Sequence, residues 1–206
     1  MDNFINDGRL LPVMEEFYSI QGEGCNTGTA AYFLRIGGCD VGCRWCDVKE
    51  SWNADLWPPI QTDEVISRII QCPAKAVVVT GGEPLQYNLD YLCNELKKNN
   101  IRTFLETSGS YELSGSWDWV CLSPKIKSPP LSNIYTKIHE LKVIIHEESD
   151  FVWAEKNAKM INNTTLLLLQ PEWSERKKMI PLIVAYILKN PQWKISLQSH
   201  KYMNIP

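Results

Sequence analysis

Several things are missing or scarce in this chain, and each absence removes a class of function. No stretch of eighteen apolar residues occurs, so nothing reads as a membrane span. The opening residues, Met1-Asp2-Asn3-Phe4-Ile5-Asn6, hold neither a basic nor an apolar region, so no secretory signal is visible. Positive charge is not in excess. Lys and Arg number 21 against 24 Asp and Glu, a net charge of -3, which argues against a broad nucleic-acid footprint. No linker, low-complexity tract or composition shift divides the 206 residues, so residues 1–206 read as one domain, with 1–14 an irregular lead-in. No second C-x-x-C pair completes a common zinc pattern. The seven cysteines are an odd number, which fits complete disulfide pairing poorly. The expected setting is a reducing cytoplasm, where clustered cysteines point to metal or catalysis.

What is present centres on Cys39-Asp40-Val41-Gly42-Cys43-Arg44-Trp45-Cys46. Its three cysteines, spaced C-x-x-x-C-x-x-C, follow the apolar run from Ala31 to Ile36 and the pair Gly37-Gly38. Iron–sulfur clusters usually take four thiolates. Three on one loop suit a four-iron cluster that keeps one iron for a ligand that is not protein. A zinc ion with a fourth ligand from elsewhere is the rival reading. His139 and His146 stand seven apart and do not complete it well. Cys25, Cys72, Cys93 and Cys121 read as small core residues.

The remaining pattern alternates strands and helices. Strands are expected at Glu15–Ile20, at 31–36, over Ala76–Val79 and from Ile101 to Glu106, then at Trp119–Leu122, Leu141–Ile145, Leu166–Leu169 and Ile195–Leu197. Helices are expected after a Thr62 N-cap, around Leu89–Leu96, around Phe151–Ile161 and around Ile180–Leu188 despite Pro181. Val48 to Pro59, rich in Trp and Pro, reads as a loop over the site. Gln21-Gly22-Glu23-Gly24 is either a surface turn or a place of close ligand approach. The alternation predicts βα units around a mainly parallel sheet, whose ligands gather at the C-terminal strand ends. The cysteine loop, Thr80–Pro84, Thr107–Gly109, Ser123–Lys125 and Gln170–Glu172 all fall at such ends, facing one mouth.

The cysteine spacing, the aromatic Trp45 before the last cysteine, and Gly81-Gly82-Glu83-Pro84 after a βα strand resemble the radical S-adenosylmethionine superfamily. Further stretches resemble its 7-carboxy-7-deazaguanine synthase family. They are Phe17-Tyr18-Ser19-Ile20-Gln21-Gly22-Glu23-Gly24, Phe33-Leu34-Arg35, Trp45-Cys46-Asp47, Leu105-Glu106-Thr107-Ser108-Gly109, Ser123-Pro124-Lys125, Leu169-Gln170-Pro171 and Ser196-Leu197-Gln198-Ser199-His200-Lys201. The likeness runs from about residue 15 to the C-terminus. It implies an α/β fold, a partial TIM-like βα barrel with mainly parallel strands. It also implies a lyase that converts 6-carboxy-5,6,7,8-tetrahydropterin to 7-carboxy-7-deazaguanine with loss of ammonia, toward queuosine and other deazapurines. Hydrogen abstraction would fall to a 5′-deoxyadenosyl radical. The implied cofactors are one 4Fe-4S cluster on Cys39, Cys43 and Cys46, and S-adenosylmethionine.

By the same resemblance, Trp45, Cys46, Asp47, Gly82, Ser123, Pro124, Lys125 and Gln170 surround S-adenosylmethionine. Ile20, Gln21, Gly22, Arg35, Thr80 and the carboxylate of Pro206 line the substrate site, with Glu23 and His200 as further candidates. The residue chemistry agrees with those placements. Gln21 both donates and accepts, Glu23 accepts from ring N–H groups, and Arg35 suits a carboxylate. The family's magnesium ion takes a Thr or Ser hydroxyl after Cys-Asp. Val48 stands there, so magnesium dependence is expected to be weak or absent, with Asp47 or water as the substitute ligands. No basic residue stands out as a proton shuttle. The family further implies a homodimer reduced by a donor of the flavodoxin or ferredoxin class. Of the tryptophans, most are expected in the core and an exposed subset at the dimer face. The rival functions are a glycyl-radical activase and a zinc-stabilised binding module.

Overall fold

The computed structural model describes residues 7–206. Strands β1 (Leu10–Leu11) and β4 (Ile60–Gln61) form a small antiparallel pair. The main sheet has eight strands: β2 (Val13–Ile20), β3 (Ala30–Ile36), β5 (Ala76–Gly81), β6 (Arg102–Thr107), β7 (Trp119–Leu122), β8 (Glu140–Ile145), β9 (Leu166–Pro171) and β10 (Trp193–Ile195). They lie in chain order across the sheet, and all neighbours pair in parallel except β2 with β3. Helices α1 (Thr62–Gln71), α2 (Asp90–Lys98), α3 (Asp150–Ala158), α4 (Arg176–Lys189) and α5 (Ser199–Met203) complete the fold. None is long and apolar enough to cross a membrane.

Side-chain parity builds the two faces of this sheet. Successive strand residues point to opposite sides. Leu34, Ile36, Val77, Val79, Leu105, Leu141 and Val143 are fully buried against Val65, Ile69, Leu92 and Leu96 of the helices. The alternate residues Ala31, Phe33, Ala76, Val78 and Phe104 form a second, smaller cluster with Phe17 and Trp119 on the concave face. A strand covered on both faces reads as a continuous apolar run, which is why Ala76-Val77-Val78-Val79 shows no alternation. No ladder joins β2 to β10, so the curved sheet is an incomplete barrel. Loop contacts bridge the gap: Gly24 N donates to Ser196 Oγ at 2.9 Å and Ser199 N to Gly22 O at 2.8 Å.

Several sequence expectations shift. The lead-in is not irregular to residue 14, because Leu10–Leu11 pairs with β4 and β2 starts at Val13; residues 1–6 of it lie outside the described residues. Thr62 is not the cap of α1 but its first residue, since its hydroxyl donates to Gly8 O at 2.7 Å and Gln61 takes the cap position. The closing strand is Trp193–Ile195; Ser196 N still donates to Leu169 O at 2.9 Å, while its hydroxyl turns to Gln170 Oε1 at 2.7 Å. After β10, Ser199–Met203 form α5. Cys72, Cys93 and Cys121 are buried as expected, whereas Cys25 is exposed on the β2–β3 loop. Of the tryptophans, Trp193 is buried and the other seven are half-buried, none fully exposed. The exposed large apolar residues include Tyr18, Ile20, Leu197 and Tyr202 instead.

Candidate active site

At the C-terminal end of the parallel strands the concave face opens into one cavity of about 310 Å³. Concave-face parity, followed to the strand ends, supplies much of its wall. Phe33 leads to Arg35, Val78 to Thr80, Phe104 to Glu106, and Lys142 to Ile144, with Gln170 on β9. Stacked Phe17 and Phe33, with ring centroids 4.9 Å apart, contribute an apolar surface to it.

On the cluster side, Cys39, Cys43 and Cys46 all line the cavity and are all free thiols. Burial pushes the thiols of Cys39 and Cys43 above their ordinary range. Thiols buried this way ionise readily only when bound metal compensates the charge. Among the described residues no three Cys, His, Asp or Glu side chains gather around a single metal ion. A cluster asks for a wider spread, because each thiolate sits on a different iron. The cysteine loop is anchored from several sides. Gly38 N and Cys39 N donate to the Ser51 and Trp52 carbonyls at 2.6 and 3.1 Å, which places the Lys49–Trp52 turn beside the site. Asp40 accepts from Tyr111 Oη at 2.6 Å and Gln86 Nε2 at 3.1 Å.

The glycine turn packs directly on that loop. Gly82 N donates to Ile36 O at 2.9 Å and Glu83 N to Gly38 O at 2.8 Å. A Cβ at Gly82 would land on the Gly38 carbonyl and against Cys39 Cβ, so the turn requires glycine there. Glu83 is 1% exposed and accepts from Thr107 Oγ1, Ser108 N, Ser108 Oγ and Leu85 N. That single carboxylate fastens two strand-end turns together. The indole of Trp45 stacks on His146, centroids 5.2 Å apart, and its buried Nε1 has no partner. That donor is closed to solvent, so it is an unmet buried group beside the cavity. Ser123 lines the cavity too, and Lys125 donates to its carbonyl and hydroxyl, each at 2.6 Å. Burial holds Lys125 below the usual lysine range.

The opposite wall carries the substrate candidates. Ile20, Gln21, Gly22, Glu23, Arg35, Thr80, His200 and Pro206 all line the cavity. Arg35 Nε pairs with Glu15 at 2.5 Å, its partner across the β2–β3 ladder. Glu23 accepts from Lys142 at 2.7 Å, Gln198 at 2.9 Å and Gln170 at 3.0 Å. Burial works to raise the Glu23 pKa, but Lys142 and these donors outweigh it and lower it to about 2. Gly22 serves a different approach from the one its glycine suggests. A Cβ there would strike His200, so the glycine admits α5, not a ligand. Burial holds His200 below the usual imidazole range, so it is neutral at pH 7.

Two placements differ from expectation. Pro124 is buried away from the cavity and accepts from Trp153 Nε1 at 3.3 Å. Gln170, expected beside S-adenosylmethionine, has both amide ends committed, to Glu23 and Ser196. After Cys46 and Asp47, Val48 offers no side-chain oxygen, while Asp47 Oδ2 accepts from Lys201 at 2.7 Å and Gln198 at 3.3 Å. Sequence reasoning missed Glu106, Lys142 and Gln198 as site residues. For the first two, a charged residue inside an apolar strand, at concave-face parity, was the available signal.

A curved parallel sheet with three thiols and a glycine turn at its mouth defines a class, and the Radical SAM superfamily model matches residues 34–120. A curated 7-carboxy-7-deazaguanine synthase from Flavobacterium psychrophilum is 54% identical over 202 residues, covering 98% of this chain and 96% of that protein. One from Synechocystis sp. is 47% identical and covers 94% and 93% respectively. The crystal structure of QueE from Escherichia coli superposes with a TM-score of 0.84 at 29% identity, covering 97% of this chain and 99% of that one. The chain belongs to the 7-carboxy-7-deazaguanine synthase family.

Proposed function

We infer that this protein is the lyase that converts 6-carboxy-5,6,7,8-tetrahydropterin to 7-carboxy-7-deazaguanine with loss of ammonia, in queuosine and 7-deazapurine biosynthesis. The observation that carries this is the end-to-end likeness to named synthases, 54% identical over 98% of the chain, joined to a three-thiol loop at the cavity mouth. A glycyl-radical activase or a zinc-held binding module is not favoured by a match of that extent.

The site residues take the following parts in this reading. Cys39, Cys43 and Cys46 hold a 4Fe-4S cluster, and Trp45, Asp47, Gly82, Ser123 and Lys125 hold S-adenosylmethionine. When bound, this pair supplies the one-electron chemistry that abstracts a hydrogen atom from the substrate. Arg35 takes the substrate carboxylate, which a guanidinium matches well. Glu23, kept anionic, accepts from the N–H edge of the pterin. Gln21 orients Glu23, accepting its backbone N–H at 3.1 Å. Thr80, Ile20 and the Pro206 carboxylate complete the wall, and neutral His200 stands beside Gly22. Magnesium dependence is weak or absent, because Val48 offers no side-chain oxygen. The enzyme works as a single domain and a homodimer in the cytoplasm, with a donor of the flavodoxin or ferredoxin class.

Anaerobic purification and reconstitution test this directly. Brown protein with three to four irons per chain, turning over the carboxytetrahydropterin with S-adenosylmethionine and a reductant, is the expected result. A colourless protein, or an iron-loaded one inert toward that pterin, rejects the reading. Turnover that persists after magnesium is chelated, and restores no further when it is added back, is expected; a strict requirement overturns the magnesium statement.

A further inference from the structure

Lys142 is 4% exposed, in the middle of β8, and its ammonium reaches two carboxylates at once. Nζ stands 2.7 Å from Glu23 Oε2 and 2.9 Å from Glu106 Oε2. The acids come from separate places, the loop after β2 and the end of β6. Both line the cavity, and so does Lys142 itself. Their other partners are unequal. Glu23 is also held by Gln170 and Gln198, whereas Glu106 has, among the described residues, Gln21 Nε2 at 3.5 Å and the Cys121 thiol beside it.

We propose that Lys142 is a positioning residue that clamps Glu23 and Glu106 side by side and sets the charge of this wall for the N–H-rich edge of the substrate. This rests on the function inferred above. One cation between two carboxylates leaves a wall of net charge minus one, and two adjacent carboxylates without it cannot both stay ionised. A wall of that charge accepts hydrogen bonds, as the aminopyrimidinone half of a pterin needs. Other charged or titratable groups around Lys142 are Glu140 at the start of β8, Cys121 on β7, and Lys125 and His200 at the mouth. Burial works against the charge on Lys142, while Cys121, Glu106, Glu23 and Glu140 more than compensate and hold it well above the usual lysine range.

The test is anaerobic calorimetry of 6-carboxy-5,6,7,8-tetrahydropterin binding to iron-loaded enzyme, without reductant, from pH 6.5 to 8.5. S-adenosylmethionine affinity and iron content serve as folding controls. The wild-type Kd is expected to change little. In Lys142→Met the two acids share a proton, so the Kd weakens about tenfold for each pH unit above its loss. His200 is common to both proteins and cancels in the comparison. The double variant Lys142→Met with Glu106→Gln restores a single negative charge and is expected to bind with a flat pH profile. A Lys142→Met Kd that is flat with pH and within threefold of wild type overturns the proposal. So does a double variant that, like the single one, fails the folding controls, which would make the lysine merely structural. If wild type itself does not bind the pterin, the inferred function fails instead.

Discussion

Glu83 shows how much one buried side chain organises here. All four groups bonded to it are donors, so it is held as an acceptor. In Glu83→Gln the new amide presents N–H groups to donors, and one or more buried partners go unmet. The expected loss is about 2–4 kcal/mol of stability, read as a lower urea midpoint at unchanged m-value. Trp45 offers a contrasting case. Its buried Nε1 meets no acceptor and costs stability. Trp45→Phe keeps an aromatic face for His146 and removes the unmet donor. An unchanged or higher urea midpoint is expected, with iron content unchanged, and a loss of about 2 kcal/mol or more would show that Nε1 finds a partner.

At the scale of elements, the site depends on α5 lying against the Gln21–Gly24 loop. Ser199 N and Oγ both donate to Gly22 O at 2.8 Å, and Lys201 pairs with Asp47 at 2.7 Å. One short helix therefore ties the substrate wall to the cysteine loop. Gly22→Ala puts a methyl against the backbone of His200, which a rotamer change cannot relieve. The helix must shift. At least about tenfold higher KM for the pterin is expected, with cluster content and S-adenosylmethionine affinity retained. Loss of the cluster instead would show that α5 supports the whole fold and not one wall.

For the molecule as a whole, buried charge sets the response to acid. Glu23 titrates at about 2 when folded against an ordinary value of 4.5. Between those values the unfolded chain binds a proton that the folded chain does not. Stability from this group is therefore complete above pH 4.5 and is lost as pH falls toward 2, about 3 kcal/mol in all. Glu106 works in the opposite sense, since burial, Glu140 and Glu23 hold its pKa above the ordinary range despite Lys142. Because Glu23 helps raise Glu106, its own contribution is read in a Glu106→Gln background, where Glu23 alone is then changed to Gln. Unfolding free energies from pH 5 to 2.5 should fall more steeply with Glu23 present, and parallel profiles would refute the assignment.

Much of this architecture was legible in the chain itself. Runs such as Ala76–Val79 and spacings such as Leu89, Leu92, Cys93 and Leu96 mark their elements because burial repeats with the backbone's own period. The three cysteines and Gly81-Gly82 announce themselves because their chemistry is local to a few residues. Where the ladder ends at Ile195, why Gly22 lacks a side chain, and which strand acids meet at Lys142 were settled only by the tertiary structure. Each of those depends on groups far apart in sequence, as with Glu23 and Lys142, whose encounter no local pattern encodes.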